Sequence, residues 1–330
     1  MINIIFNLQH CLVILLLGFL FLCPMQYAQL DYRFYDVTCP NLPKIVRSGV
    51  SSAMSNETRI AASLLRLHFH DCIVNGCDGS ILLDDTATMT GEKNANPNKN
   101  SARGYEVIDA IKAAVEAACP AIVSCTDILA LAAREAVFLT GGPCYPLPMG
   151  RRDGLTANIS AANQQIPSPF EPLANITAKF TSKGLQPKDV AVLSGAHTIG
   201  FEQCSTFKSR LFNFDGTRQP DPSLDTSLLQ NLQQTCTNQS NSNTNLSPLD
   251  LVTSNKFDNL YYSNLLNNSG LLQSDQELMA DNYTSSIVIN YSKYQSNFYR
   301  DFGASMVNLG NVGVLTGQSG EVRNNCRVVN

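Results

Sequence analysis

The stretch Ser63–Ser80, SLLRLHFHDCIVNGCDGS, packs one arginine, two histidines, two aspartates and two cysteines into a short run, and its reading decides what kind of protein this is. The residues leading into it, NETRIAASLL (56–65), favour a helix. On a helix Arg66 and His70, four apart, share a face, while His68 points about 200° away. An H-x-H zinc pair needs a strand to bring both rings together, so the helical reading separates the histidines and pairs Arg66 with His70. A fixed cation opposite a neutral imidazole suits a place where negative charge develops during a reaction. Beyond His70, Asp71, Asp78 and Ser80 offer hard oxygen donors, Gly76 permits a tight turn, and Cys72 with Cys77 could close a short loop. That composition fits a calcium loop or a solvated acidic turn. It is not an EF-hand, because the D-x-D-x-D-G spacing and the glutamate at position twelve are missing.

Around this segment the chain has 330 residues, 44% hydrophobic and 15% charged, enough for one large core or two lobes around a buried site. The net charge of −4 is spread without a basic stripe, which argues against nucleic acid as a partner. Residues 11–23, CLVILLLGFLFLC, followed by PMQYAQL, match the apolar part of a secretory leader and are short for a membrane span. We place the leader at 1–28, with cleavage between Ala28 and Gln29, over an uncleaved anchor. Nine cysteines then remain, so one lacks an intramolecular partner. Eight Asn-x-Ser/Thr sequons, at Asn56, Asn158, Asn175, Asn238, Asn245, Asn267, Asn282 and Asn290, add to the case for a secreted glycoprotein.

Helical spacing dominates the rest. GYEVIDAIKAAVEAACP (104–120) repeats apolar residues at Val107, Ile108, Ile111 and Val115, and DILALAAREAVFLTGGP (127–143) ends on a glycine pair and a proline. PKDVAVLSGAHTIG (187–200) and NKFDNLYYSNLL (255–266) read as further helices. Two polar segments, TGEKNANPNKNSARG (90–104) and TCTNQSNSNTNLSPLD (235–250), read as loops inside one continuous domain, residues 29–330. The histidines left after leader removal are His68, His70 and His197, the last in VLSGAHTIG among small residues that admit something flat or bulky, or that simply surround a core histidine.

The order and spacing of RLHFHDC, NGCDGS, VSCTDILALAAR, GRRDG, LSGAHTIG and LLQSDQEL resemble those of the plant secretory (class III) haem peroxidases, over essentially the whole mature chain from FYDVTCP to VRNNCRVVN. The resemblance implies a mostly α, two-lobed fold with one haem b between a distal and a proximal lobe. It implies that His197 is the proximal iron ligand and Asp275 the carboxylate accepting its ring proton, and that His70 and Arg66 form the distal pair: His70 moves a proton from the near oxygen of peroxide to the far one, and Arg66 stabilises the charge on the departing oxygen. Asn98 would accept the His70 Nδ1 proton and leave Nε2 as the base. Two calcium sites are implied, a distal one from Asp71, Val74, Gly76, Asp78 and Ser80, and a proximal one from Thr198, Asp250, Thr253, Lys256 and Asp258. In the latter Lys256 gives only its backbone carbonyl and turns its side chain away. Glu92 would link the distal ion to the His70 network.

The same resemblance implies the disulfides Cys39–Cys119, Cys72–Cys77, Cys125–Cys326 and Cys204–Cys236, with Cys144 left over and without a catalytic role. Pro167 matches the exposed haem edge where aromatic donors dock, and Asn96 and Thr206 stand where some relatives carry aromatic rings. Substrates would be hydrogen peroxide and small phenolic donors, the protein a monomer in the extracellular space or cell wall, with lignin or suberin polymerisation and peroxide removal as family-level roles. A catalytically silent haem or calcium binder of the same fold should lack Arg66, His70 or Asn98, and all three are present. A zinc hydrolase built on His68 and His70 is disfavoured by the helical geometry.

Overall fold

In a computed structural model describing residues 30–330, the chain folds as thirteen α-helices joined by short 3-10 turns, with one small sheet. The leader assigned to residues 1–28 lies outside the described residues. In chain order the helices are α1 Leu42–Asn56, α2 Ile60–Val74, α3 Tyr105–Ala118, α4 Cys125–Leu139, α5 Ile159–Gln165, α6 Leu173–Ser182, α7 Pro187–Ser194, α8 Cys204–Phe212, α9 Thr226–Thr235, α10 Leu260–Leu266, α11 Gln273–Gln276, α12 Asn282–Lys293 and α13 Gln295–Gly310. Strand β1, Phe201–Gln203, pairs antiparallel with β2, Leu246–Pro248, with Phe201 opposite Pro248.

Helices α2 and α4 form the centre and pack against each other more extensively than any other pair. Both are buried around most of their circumference, which explains their almost unbroken apolar sequence. Helix α4 starts where Ser124 Oγ accepts the Asp127 amide at 3.1 Å, the N-cap geometry that serine favours. Most of the core is continuous through α1 to α7, α10, α12 and α13. A second, smaller cluster, around Phe207, Leu211, Leu228 and Leu232, lies under the excursion from α8 to β2.

Polar groups are also buried, in matched sets. Asp127 accepts from Arg151 Nη1 at 2.9 Å, from the Tyr35 hydroxyl at 2.8 Å and from the Gly150 amide at 2.7 Å, and neither Asp127 nor Arg151 reaches solvent. Arg323, equally buried, donates to the carbonyls of Gly79, Gly154 and Cys326, pinning the C-terminal segment over the loop that follows α2.

The disulfides are Cys39–Cys119, Cys72–Cys77, Cys125–Cys326 and Cys204–Cys236, with Cys144 free and exposed. The first and third close loops of 80 and 201 residues. By the loop-entropy argument each removes roughly 4–5 kcal/mol of unfolded-state freedom. All eight sequon asparagines are exposed. Among the described residues no helix is long and apolar enough to cross a membrane.

Four expectations need correction. Helix α2 starts at Ile60 rather than Asn56, because Asn56 ends α1 and Glu57 is drawn into ion pairs with Arg59 and Arg103. The helix expected over 187–200 stops at Ser194 and tightens into a 3-10 turn, Gly195–Thr198, that carries His197. That expected over 255–266 begins only at Leu260, because Asp258 and its neighbours turn toward Thr198 instead. The polar segment 235–250 is not all loop, since its end supplies β2.

Removing one partner of the dry Arg151–Asp127 pair strands a charge, which typically costs about 3–5 kcal/mol. Arg151→Leu should lower the denaturation midpoint by a corresponding amount, and Arg151→Leu combined with Asp127→Asn should recover much of the loss. Equal losses in the single and double variants would contradict this account.

Candidate active site

A cavity of about 660 Å³ opens between α2 on one side and the α7–β1 region on the other. His70 and Arg66 line one wall and His197 another, with Pro167, Asn96 and Thr206 also on the lining. The helical reading of the opening stretch holds: His68 lies in the core on the opposite side of α2, its Nδ1 3.7 Å from Cys72 Sγ. His68, Cys72 and Cys77 cluster closely enough to suggest a metal, but the two sulfurs are bonded to each other and offer no thiolates. Burial, then the Arg151 charge, push the His68 imidazole down to about 3, so it stays neutral.

His70 Nδ1 lies 2.5 Å from Asn98 Oδ1, and Asn98 Nδ2 donates to the Glu92 main-chain oxygen at 2.9 Å. The second bond fixes which end of the amide faces the histidine. An amide oxygen only accepts, so Nδ1 carries the proton and the Nε2 lone pair faces the cavity. Burial, followed by the Arg66 cation, pushes His70 down to about 3 against the raising effect of the Asn98 bond. Arg66 itself donates to the Pro97 carbonyl at 2.8 Å and to Ser101 Oγ at 3.1 Å, which holds the guanidinium along the wall. Ser101 drew no notice in the sequence, where a lone serine in a polar loop carries no signal.

Opposite, His197 Nδ1 donates to Asp275 Oδ1 at 2.7 Å, leaving its Nε2 unbonded among the described residues. Burial lowers its proton affinity, but the Asp275 charge and hydrogen bond outweigh this, so the net shift is upward. Tyr261, also unanticipated, donates its hydroxyl to the same Asp275 oxygen at 3.0 Å, and the Leu272 amide donates to Oδ2 at 3.2 Å. Two imidazoles with free Nε2 atoms, facing one cavity lined by small residues such as Ala196 and Gly200, suit a flat macrocycle with an axially ligated metal.

Each histidine adjoins an oxygen-rich knot. After α2, Asp71 Oδ2 accepts the Gly79 amide at 3.0 Å and Asp78 Oδ1 accepts the Ser80 amide at 3.0 Å. Ser80 Oγ and Glu92 Oε2 are buried without a hydrogen-bond partner. Burial and then the neighbouring Asp78 charge raise Asp71, burial raises Asp78, and burial pushes Glu92 up to about 7. Crowded carboxylates and orphaned oxygens of this kind fit a hard cation. Gly76 holds φ +104° here, with the Gly313 backbone only 2.7 Å from where a Cβ would stand. Glycine is required on both counts. The Val74 carbonyl, expected at this knot, accepts Lys183 Nζ at 2.5 Å, which serves as a cap on the open end of α2. Glu92 reaches the His70 network through its main-chain oxygen, while its Oε1 accepts the Asn158 amide at 2.9 Å.

Beside His197, Thr198 Oγ1 lies 3.1 Å from Asp250 Oδ2 and 3.5 Å from Asp258 Oδ1, and Thr253 Oγ1 lies 3.4 and 3.1 Å from the same atoms. Asp258 Oδ2 is buried without a hydrogen bond. The Lys256 side chain does not turn away as expected: its Nζ comes within 3.3 Å of Asp258 Oδ2, approaching from solvent on a flexible, mostly exposed stem.

Comparison with known proteins agrees with this geometry. Residues 46–294 match the protein family described as Peroxidase. The chain is 60% identical to Peroxidase 10 of Arabidopsis thaliana over 301 residues, covering 91% of this chain and 86% of that protein. It is 56% identical to Peroxidase 54 of the same species over 305 residues (92% and 85%), and 54% identical to Peroxidase N of Armoracia rusticana over 313 residues (94% of each). With a helical frame holding two oppositely tuned histidines across one cavity, and that similarity running along nearly its whole length, the chain belongs to the plant secretory (class III) haem peroxidase family and is a peroxidase.

Proposed function

We propose that this peroxidase reduces hydrogen peroxide at a single haem b and takes single electrons from small phenolic donors, with Arg66, His70 and Asn98 as the catalytic set and His197 as the axial iron ligand. The observation that carries this reading is the pair of opposed relays, His70–Asn98 and His197–Asp275, each of which leaves an Nε2 lone pair toward the same cavity. Haem, when bound, supplies the redox chemistry. His197 would hold its iron, and the Asp275 carboxylate makes that imidazole a stronger donor. His70 Nε2 accepts a proton from peroxide and returns it, because the Asn98 bond keeps Nδ1 protonated and burial keeps the ring neutral. Arg66, once drawn from Pro97 and Ser101, supplies positive charge where the departing oxygen gains electrons. Pro167 stands on the cavity lining, with Asn96 and Thr206 giving it a polar character, and phenolic donors would meet the protein there.

Two calcium ions complete the proposal. One is held by Asp71, Gly76, Asp78 and Ser80 with the carbonyl of Val74, backed by Glu92, and the other by Thr198, Asp250, Thr253, Asp258 and the carbonyl of Lys256. Their support is the set of orphaned and crowded oxygens at both knots. We place the protein outside the cell, as a monomer in which one chain supplies every site residue, with roles in cell-wall polymerisation and peroxide removal. Four disulfides and eight exposed sequons support an oxidising, glycosylating route.

Replacing His70 by Ala should leave haem bound and slow the reaction with peroxide by about 10²–10⁴-fold, as for a lost general acid–base group. His197→Ala should instead loosen the haem. Stopped-flow spectra in the haem band separate the two, and a parent-like rate for His70→Ala would refute the assignment.

The base works only while neutral, so its acid limb follows its depressed pKa. The peroxide rate constant should stay flat from neutral pH downward and fall only near pH 3. Arg66→Gln should move that limb upward, though not back to an ordinary histidine value, because burial is the larger cause. A limb near 6.5 in the parent, the ordinary histidine value, would contradict the structure.

Chelation at constant pH should reduce activity before it unfolds the chain, since both knots directly adjoin the histidines. Full activity after demonstrated loss of bound calcium would count against the ion sites.

A further inference from the structure

Behind His197 the aromatic side chains do not pack at random. The Tyr261 ring meets His197 edge-on, with centroids 6.2 Å apart, and both donate to Asp275 Oδ1. The Tyr262 ring follows at 5.0 Å from Tyr261, and the Tyr291 ring at 5.2 Å from Tyr262. All three tyrosines are buried, which keeps the series out of bulk solvent. We propose that Tyr261, Tyr262 and Tyr291 form a relay that carries one oxidising equivalent from the haem side of His197 to Tyr291, where a one-electron donor too large for the cavity is oxidised from outside the protein. The relay rests on the peroxidase reading above, with haem held by His197.

The destination follows from where each phenol can send its proton. A tyrosine that loses an electron becomes a strong acid, and the vacancy settles only where a base accepts the proton. Tyr261 points at Asp275, which is buried and already holds His197; a proton placed there would weaken the axial bond. Tyr262 donates to the Ala191 carbonyl at 3.0 Å, and an amide oxygen is a poor base. Tyr291 alone ends on a carboxylate near solvent, donating to Asp301 Oδ2 at 2.7 Å. Lys188 Nζ lies 2.7 Å from the same Asp301 oxygen and Arg300 Nε 2.9 Å from Oδ1; Arg300 is largely exposed and Lys188 partly so. Although burial raises the Asp301 pKa, bonds from Arg300, Lys188 and Tyr291 bring it down to about 2, so the carboxylate is ionised and free to accept. Phe298 touches both Tyr262 and Tyr291 but has no proton to release, and so cannot store the vacancy as a neutral radical.

The balance closes with the established activity. Haem, when bound, would supply the oxidising equivalent that reduction of peroxide to water generates. Tyr291 gives up one electron through Tyr262 and Tyr261, its O–H bond breaks, and the proton passes to Asp301 Oδ2 and on to water, leaving a neutral phenoxyl radical. A donor outside then returns one electron, a proton comes back, and the O–H bond re-forms. The exposed Arg300 and partly exposed Lys188 at this exit suit a bulky phenolic donor that carries negative charge.

The test uses the full-length holoprotein. Rapid freezing after mixing with peroxide, without donor, should give a tyrosyl electron-spin resonance signal that disappears in Tyr291→Phe. Oxidation of a phenol coupled to an anionic soluble polymer should be lost in the same variant, while oxidation of the free phenol and the peroxide-induced change in the haem band persist. Asp301→Asn, which keeps the ring and removes the base, should also abolish the signal. An unchanged signal and unchanged polymer oxidation in Tyr291→Phe would overturn the relay, as would a haem that reacts with peroxide and yields no tyrosyl radical. A parent haem band that ignores peroxide would overturn the relay together with the peroxidase reading, and the band itself tells the two failures apart.

Discussion

Everything about the site depends on the rotational setting of α2. Because this helix is buried around most of its circumference, it cannot turn without unpacking the core on every side. The setting aims Arg66 and His70 at the cavity and seals His68 against Cys72. It also delivers Asp71 to the oxygen-rich knot at the helix's C-terminal end. Three placements, a cation and an imidazole at the cavity, a core contact and a carboxylate in the knot, are therefore fixed by one packing decision. The neighbouring α4 shares that decision, since its N-terminal amides at Cys125 and Thr126 bond Asp153 and so tie the start of α4 to the C-terminal segment.

The two histidines show how environment sets role. His70 is buried and His197 half-buried, and such enclosure alone disfavours the charged form. His70 faces a cation and a neutral amide, so it remains neutral with a free lone pair. His197 faces a carboxylate, which reverses the direction of its shift. One residue type is thus a weakly basic ring on one wall and a more basic one on the other, and the partner decides which.

Much of this was legible in the sequence, and the reasons are local. The i,i+4 spacing of Arg66 and His70 predicted a shared face, and the glycine pair after Leu139 marked the end of α4. The boundaries that failed were those where a side chain is claimed by something distant in the chain. Asp258 turns toward Thr198, 60 residues away, and so delays α10. Glu57 is drawn to Arg103 and shortens the start of α2. The unforeseen site residues, Tyr261 and Ser101, likewise act across the fold: Tyr261 reaches Asp275 only because the tandem tyrosines of α10 project against the turn that carries His197. The side-chain direction of Lys256 was misjudged because a long, solvated stem can lean toward a carboxylate even where its backbone is the group of interest.

The place of Arg323 bears on how the protein is made. Its guanidinium bridges Gly79 and Gly154, and nearby Cys326 is bonded to Cys125, so the loop that follows His70 is closed by a residue 244 positions further along the chain from Gly79. Domains commonly begin to fold as the chain emerges. Here the α2–α4 pair can form early, but the distal knot stays open until Arg323 has been added to the chain and Cys326 has been oxidised. Synthesis as far as Cys326, and its oxidation, thus become preconditions for a finished site, so a half-made or reduced chain would lack the closed distal loop.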